Sequence, residues 1–162
     1  MLVEELNHKL ELTRDEMVEL LNDDLAREYQ AIIAYVVYSQ VLKGAAYSKI
    51  AEELEMHARQ ELDHALKLAK QIDYFGGTPV VAPKAVKISH DAEAMLRFDL
   101  ENERETIGQY TQRIRQADAM GEFALSETLR EVVVQEQDHL IDLANALGIE
   151  VPHHDQMEKK RF

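Results

Sequence analysis

The chain contains no cysteine, and among its 162 residues only six are glycine and three are proline. The lack of cysteine excludes disulfides, thiolate zinc sites and iron–sulfur clusters. Because few glycines and prolines are present to interrupt a helix, a mostly helical chain is predicted. The length of 162 residues is enough for one domain with a sizeable apolar core.

Basic residues are also scarce: 18 lysines and arginines stand against 31 aspartates and glutamates, which gives a net charge of −13. Such a chain is poorly suited to nucleic acids or anionic membranes, so we expect neither as a partner. The longest strongly apolar run, residues 31–38, is too short to cross a bilayer, and the first residues lack the apolar stretch of a signal peptide. We therefore expect a cytoplasmic protein whose surplus carboxylates either attract cations or simply form a solvated surface.

Four residue positions recur at a constant offset of 75 in numbering. The first half carries Glu28, Tyr35, Glu61 and His64, and the second half carries Glu103, Tyr110, Glu136 and His139. This pattern indicates a duplicated helical hairpin that carries metal ligands. Two glutamates plus two Glu-x-x-His units, one set on each helix of a four-helix bundle, form the arrangement that holds a pair of iron or manganese ions.

The first hairpin can be placed from its end signals. Thr13 followed by Glu16 is typical of a capping box and predicts a helix over residues 14–43. Gly44 can stop that helix. An apolar stripe at helical spacing, which includes Ile32 and Val36, is expected to face the core. After a short turn, a second helix is predicted over residues 47–74.

The second hairpin follows a long connection. Residues 76–88 contain two prolines and alternating aliphatic residues, which favours an extended crossover. Ser89 is expected to cap a third helix over residues 90–117, and Gly121 lies in the turn to a fourth helix that ends at Leu147. Two hairpins joined by one long crossover form the all-α, ferritin-like topology of a four-helix bundle. The expected division is an N-terminal segment 1–12, the bundle 13–148 and a loosely held, charged tail 149–162.

Helical spacing points six ionisable side chains into the core of this bundle: Glu28, Glu61, His64, Glu103, Glu136 and His139. A buried, unpaired carboxylate costs several kcal/mol by typical estimates, roughly 3–5 when a partner is missing. Two divalent ions would balance the four carboxylates and leave the imidazoles neutral. Oxygen and nitrogen ligands without sulfur suit iron or manganese, and such a site also accepts zinc. An ion-pair network in an ordinary bundle is the alternative, which the duplication disfavours.

Tyr35 and Tyr110 lie two turns beyond the first glutamate of each half, on the same helix faces. Each could be a half-buried core aromatic. Their matched positions favour a supporting role, in which the phenol donates a hydrogen bond to a ligand carboxylate or serves as an electron source.

Three further ionisable residues leave alternatives open. Asp24 and Asp99, one turn before the first glutamate of each half, could line an approach path for cations, although water at the end of the bundle is favoured. His57 breaks the duplication, because its counterpart is Val132. A packed, hydrogen-bonded core histidine is favoured for it over an accessory ligand.

Together these motifs resemble the ferritin-like superfamily, and within it the bacterioferritins. The closer similarity lies in Gly77-Thr78-Pro79, in residues 94–97 and in Asp99-Leu100 leading to Glu103. The resemblance spans residues 13–147 and implies a di-iron ferroxidase that oxidises Fe(II) with O2 or H2O2 and stores the ferric product. It implies two Fe ions per chain, with the six inward residues as metal-binding and catalytic groups. Glu61 and Glu136 would bridge the ions, with one terminal glutamate and one histidine for each.

The chain departs from that family at three places. The bacterioferritin haem ligand is a methionine directly after the glutamate of the second helix, and this chain has Leu62 at that position. Met56 is nearby in sequence but has a different register on the helix, so haem is not expected. Gln60 and Gln135 stand where the family often has aspartate. The chain after the fourth helix is short and holds Pro152, so the small fifth helix that lines pores in large cages is not expected.

A homo-oligomer is expected, at least a dimer, with a closed shell as the larger alternative. Four apolar or aromatic residues off the core stripe would otherwise be exposed: Tyr29, Ile33, Val37 and Tyr47.

Other functions are compatible with parts of this pattern. A small peroxide reductase resembling the rubrerythrins usually adds an iron domain with four cysteines, which this chain lacks. A non-catalytic bundle that holds zinc or manganese is a second alternative. A DNA-protecting miniature ferritin would place its metal site between subunits, which the duplicated ligands and acidic charge disfavour.

Overall fold

The computed structural model describes residues 2–154, which form five α-helices and one 3-10 turn, Ala45–Tyr47. The helices are α1 (Leu2–Asn7), α2 (Arg14–Val41), α3 (Ser48–Tyr74), α4 (Ala92–Ala119) and α5 (Phe123–Leu147). The most extensive packing joins α2 to α3 and α4 to α5, so the bundle consists of two antiparallel hairpins. The predicted all-α fold is thus confirmed. Among the described residues no helix is long and apolar enough to span a membrane.

The start of α2 is capped as predicted. Glu16 N donates to Thr13 Oγ1 (3.2 Å), and Thr13 N donates to Glu16 Oε2 (2.8 Å). The helix ends at Val41, two residues before the predicted Lys43, and Gly44 follows with a φ of 101°. The positive φ makes glycine the favourable residue at this turn.

The prediction for the start of α4 was wrong by two residues. Asp91, rather than Ser89, is the N-cap, and its carboxylate accepts a hydrogen bond from Ala94 N (2.9 Å). Ser89 Oγ instead accepts from Asp91 N (3.1 Å) and so orients the cap. At the other end of the second hairpin Gly148, in the left-handed conformation, ends α5 at Leu147 as predicted.

The crossover between the hairpins runs along α2. Lys84 N donates to Ala26 O (3.0 Å), and Gln30 Nε2 donates to Ala85 O (2.6 Å). At its start Gly77 packs so closely that a Cβ would lie 2.4 Å from a methyl group of Val18. These contacts fix the long connection to the first hairpin.

Helix α1 was not predicted, since six residues carry too weak a pattern. It packs against α2 and α4, with Leu6 buried. Gln116 Nε2 donates to Leu6 O (2.8 Å) and to Lys9 O (2.6 Å), which ties this segment to the end of the bundle. At the other terminus the expectation of a loose tail is wrong for Ile149, which packs against the core and donates to Ala144 O (3.1 Å). Residues 155–162 of that predicted tail lie outside the described residues.

The buried apolar residues form two clusters with a polar zone between them. One cluster surrounds Tyr38, Leu54 and Leu143, and the other surrounds Leu21, Leu68 and Leu129. We call them the Leu54 cluster and the Leu68 cluster. The predicted core position of Val36 is wrong, since its side chain is 51% exposed, and Ile32 is only partly buried. The proposed domain division of the chain stays a prediction.

Candidate metal centre

Between the two apolar clusters lie the six side chains that the duplication singled out. They are Glu28, Glu61, His64, Glu103, Glu136 and His139, and none is more than 3% exposed. Helix periodicity explains their direction, because each Glu-x-x-His pair lies on one face of α3 or α5. Their role as ligands stays a prediction that the geometry below supports.

The ligand atoms of these residues form two overlapping groups, and within each group they lie within 4.8 Å of one another. One group is Glu28, Glu61, His64 and Glu136, and the other is Glu61, Glu103, Glu136 and His139. Glu61 and Glu136 belong to both groups. The structure therefore offers two neighbouring cation positions that share two carboxylates.

The Nδ1 atom of each histidine faces the carboxylates. His64 Nδ1 lies 3.1 Å from Glu61 Oε2, 3.2 Å from Glu136 Oε1 and 3.6 Å from Glu28 Oε2. From His139 Nδ1 the matching distances are 3.0 Å to Glu61 Oε1, 3.4 Å to Glu136 Oε2 and 3.8 Å to Glu103 Oε1. Each imidazole thus presents the same nitrogen to the centre.

Burial and crowding shift the ionisation of these groups in opposite directions. Burial alone lowers the pKa of His64, but its short contacts with three glutamates raise that pKa far above its usual range, and His139 shifts likewise. Burial, followed by the neighbouring carboxylates, raises the pKa of Glu61 well above normal and that of Glu103 to about 7. Although burial raises the pKa of Glu136, its short contacts with Glu103 and both histidines lower that pKa to about 2. Without a cation the centre therefore retains protons that a cation must displace.

Several atoms of the centre are buried without a hydrogen-bond partner. They are Glu61 Oε1, Glu103 Oε2, both Glu136 oxygens and His139 Nδ1. His139 Nδ1 lies 3.0 Å from Glu61 Oε1, but the two atoms do not have hydrogen-bond geometry. Buried oxygens and a nitrogen that no donor satisfies are costly, and divalent cations would satisfy them together. The donor set fits a pair of such cations.

The outer nitrogen of each histidine is bound by a glutamine from the opposite helix. His64 Nε2 donates to Gln135 Oε1 (2.6 Å), and His139 Nε2 donates to Gln60 Oε1 (2.7 Å). These bonds keep the proton on Nε2 and leave Nδ1 for the centre. The sequence showed both glutamines as departures from the family pattern, but it did not show that each reaches the histidine of the other half.

Tyr35 and Tyr110 also cross between helices. The Tyr35 hydroxyl donates to Glu103 Oε1 (2.5 Å), and the Tyr110 hydroxyl donates to Glu28 Oε1. Burial, followed by the adjacent glutamate, raises the pKa of each phenol well above its usual value, so both remain donors. Each tyrosine therefore orients the terminal carboxylate of the opposite half.

His57 lies beside the centre and is buried. Its ring stacks on that of His139 at 4.0 Å between centroids, and its Nε2 lies 3.0 Å from Asp142 Oδ2. Burial and the neighbouring His139 lower the pKa of His57 to about 4, so its neutral ring donates to Asp142 as a hydrogen bond rather than forming an ion pair. Its Nδ1 has no partner.

The expectation that Asp24 and Asp99 lie in water was wrong, because both are buried. Arg113, itself fully buried, donates to both oxygens of Asp24 at 2.7 and 3.2 Å. Asp99 has one buried oxygen without a partner, and burial, followed by Glu103, raises its pKa well above normal. The sequence did not predict this role of Arg113, because Arg113 and Asp24 are 89 positions apart and only the tertiary packing brings them into contact.

Comparison with known proteins gives one family and several relatives. The model of the ferritin-like domain family, Ferritin, matches residues 18–149. A bacterioferritin from Brucella melitensis is 26% identical over 136 residues, which cover 82% of this chain and 83% of that protein. A bacterial ferritin from Paramagnetospirillum magnetotacticum is 28% identical over 138 residues, with coverage of 82% and 83%.

Solved structures are similar over most of the chain. A ferritin-like, diiron-carboxylate protein from Bacillus anthracis superposes with a TM-score of 0.80 at 34% identity, over 83% of this chain and 96% of that one. A dodecameric thioferritin, the bacterioferritin-related protein from Bacteroides fragilis, superposes with a TM-score of 0.78 at 25% identity, over 90% and 91%.

Proposed function

Because the chain belongs to the family of ferritin-like domains, we propose that it is a ferroxidase that oxidises Fe(II) at a two-iron centre and serves iron storage or detoxification. The observation that carries this proposal is the pair of four-residue groups that share Glu61 and Glu136. Its similarity to bacterioferritins and to a diiron-carboxylate protein supports iron over other divalent ions.

The six residues take distinct roles in this proposal. Glu61 and Glu136 each contribute to both positions and would bridge the two ions. Glu28 and His64 complete one position; Glu103 and His139 complete the other. Two divalent ions supply +4 against four carboxylates, so the loaded centre is neutral once both imidazoles have lost the Nδ1 proton. Manganese or zinc would satisfy the same charge.

Fe(II) is the substrate and the electron donor: two Fe(II) would become two Fe(III) and release two electrons. With two protons these electrons would reduce O2 to H2O2, or, where H2O2 is the oxidant, reduce H2O2 to two waters. The protein positions these ions and excludes water. The tyrosine hydroxyls orient the terminal carboxylates, and the glutamine carbonyls hold the proton on each Nε2. The apolar clusters on both sides keep the surroundings dry, which strengthens these electrostatic contacts.

We further propose that the chain acts in the cytoplasm as a homo-oligomer. Ile33 is 40% exposed, and Val36, Leu62 and Leu66 are each more than half exposed on α2 and α3. Val36 and Leu62 line one surface groove. Of the other residues expected to be exposed, Val37 and Tyr47 pack partly against the Leu54 cluster and Tyr29 against the Leu68 cluster. The similar protein from Bacteroides fragilis is dodecameric, which supports a shell. Light scattering measures the subunit number, and a monomer would reject this proposal.

The central experiment is iron loading of the metal-free protein. Wild type should take up two Fe(II) per chain and oxidise them rapidly in air. The double variant Glu61→Ala, Glu136→Ala should lose the fast phase yet remain folded, because it removes buried, repelling charge. Glu52→Ala with Glu127→Ala is the matched control, since it removes one exposed glutamate from each of the same helices.

Unchanged fast oxidation in the double variant would reject the site. Binding of two ions without oxidation would instead favour a non-catalytic metal-binding bundle. Addition of a large excess of Fe(II) then tests storage: a soluble ferric core retained on gel filtration supports a shell, and precipitation after about two irons per chain, the capacity of a single such centre, rejects it.

A further inference from the structure

The duplication places equivalent residues on the two sides of the centre, yet the two sides differ in charge. Asp24 and Asp99 are equivalent by the offset of 75, and both are buried. The position equivalent to Arg113 is Tyr38, whose hydroxyl donates to the backbone of the crossover instead. Only one of the two buried aspartates therefore has an arginine partner.

On the Leu68-cluster side the buried aspartate is satisfied. Arg113 binds Asp24 with two hydrogen bonds, and Arg27 lies 3.4 Å from the same carboxylate. Arg113 also donates to Asn7 at the end of α1 (3.0 Å), which covers this end of the bundle. Buried arginines repel cations, so this side is closed to them both by charge and by packing.

On the Leu54-cluster side several polar atoms have no partner. They are His57 Nδ1, Asp99 Oδ2, Glu103 Oε2 and His139 Nδ1. In the other half His64 Nδ1 is hydrogen-bonded to Glu61, and Arg113 satisfies Asp24. The terminal glutamates do not differ in this respect, since Glu28 and Glu103 each accept from a tyrosine. Apart from the shared glutamates Glu61 and Glu136, the unsatisfied polar atoms are therefore concentrated on one side of the centre.

His57 links this side to the surface. Its Nε2 donates to Asp142 Oδ2 (3.0 Å), and its Nδ1 is buried and has no partner. Asp142 is 39% exposed at the side chain and lines a surface cavity of about 340 Å³ together with Glu53 and Lys49. A buried ring nitrogen without a partner, behind an exposed carboxylate, offers a divalent cation one nitrogen and one oxygen ligand.

We propose that divalent cations enter the centre from this side, by way of Asp142, His57 and Asp99, and reach the position of Glu103 and His139 first. This inference rests on the proposed function, because it assigns the route by which the two ions are loaded. His57 and Asp99 are transit residues: they bind the cation in passing and are not needed to retain it.

The test follows association of Co(II), a redox-silent probe under these conditions, with metal-free protein by stopped-flow absorbance and calorimetry. Asp99→Asn and His57→Val should each slow association and leave the final stoichiometry at two per chain, because each removes one ligand atom from the route. We expect about a tenfold decrease in rate, the lower end of the range by which a polar cleft guides its ligand. Valine is the residue at the equivalent position, Val132, so this variant makes the two halves alike. Asp138→Asn, an exposed neighbour of His139 with the same change in charge, is the control and should bind at the wild-type rate.

Circular dichroism melts establish that each variant is folded, and His57→Gln, which retains a polar group, should recover part of the rate. Wild-type association rates in both variants would overturn the route while the proposed function stands. Loss of stoichiometry in Asp99→Asn would also overturn the transit role, because it would make Asp99 part of the site itself. If wild-type protein does not bind two Co(II), the proposed function is rejected and the route with it.

Discussion

Replacement of Arg113 by methionine should destabilise the metal-free bundle more than any change to a surface ion pair. The guanidinium is fully buried and donates four hydrogen bonds, two of them to Asp24 and one each to Gln116 (2.5 Å) and Asn7 (3.0 Å). Methionine retains much of the volume but none of the charge. Asp24 would then be buried with only Arg27 nearby, at 3.4 Å.

The size of the effect follows from these contacts. Removal of one partner from a buried ion pair costs about 3–5 kcal/mol, because the other charge is left uncompensated. Since Arg27 still provides partial compensation, we expect about 3 kcal/mol. For a chain of this size roughly 2–4 °C of Tm corresponds to each kcal/mol, so the melting temperature should fall by about 6–12 °C.

Urea unfolding of the metal-free protein, followed by circular dichroism, measures this change. Arg97→Met is the control, because Arg97 forms an exposed pair with Glu93 and should change stability by about 0–1 kcal/mol. The double variant Asp24→Asn, Arg113→Met should be more stable than Arg113→Met alone, because it removes the stranded charge. A single variant as stable as the Arg97 control would refute the buried-pair reasoning.

Three shorter predictions concern the centre. Gln60→Glu with Gln135→Glu should tighten Co(II) binding by about tenfold and lower the reduction potential of bound iron, since a carboxylate makes each ligand imidazole more basic. The control is Gln→Asn at both positions, and looser binding in the carboxylate variant would contradict the assignment. Co(II) affinity should rise from pH 6 to pH 8, because binding displaces protons from both imidazoles and from Glu103, whose pKa is about 7; calorimetry that shows constant affinity would reject this. Protein purified from haem-supplied cells should show no Soret band, because Leu62 replaces the methionine ligand, whereas a haem spectrum that disappears in Met56→Leu would show that the register argument is wrong.

The sequence by itself determined the features that depend on short spacing along one helix. The Glu-x-x-His units face one way because three residues are nearly one helical turn, and the duplication identifies the matching units on α3 and α5. The Thr13 cap and the end of α5 at Gly148 are equally local. Ser89 and Asp91 are both favourable N-cap residues and lie two positions apart, so the sequence does not decide between them. In the structure Asp91 caps α4.

Only the tertiary structure decided which groups meet across helices. The pairing of each histidine with the glutamine of the other half depends on the relative height and rotation of α3 and α5, which no spacing within one helix encodes. The same holds for Arg113, which reaches Asp24 from another helix, and for Asp99, one oxygen of which the packing leaves without a partner. Two aspartates with the same sequence context thus differ in environment, because the charge around a buried group is set by the neighbours that the packing of helices brings to it.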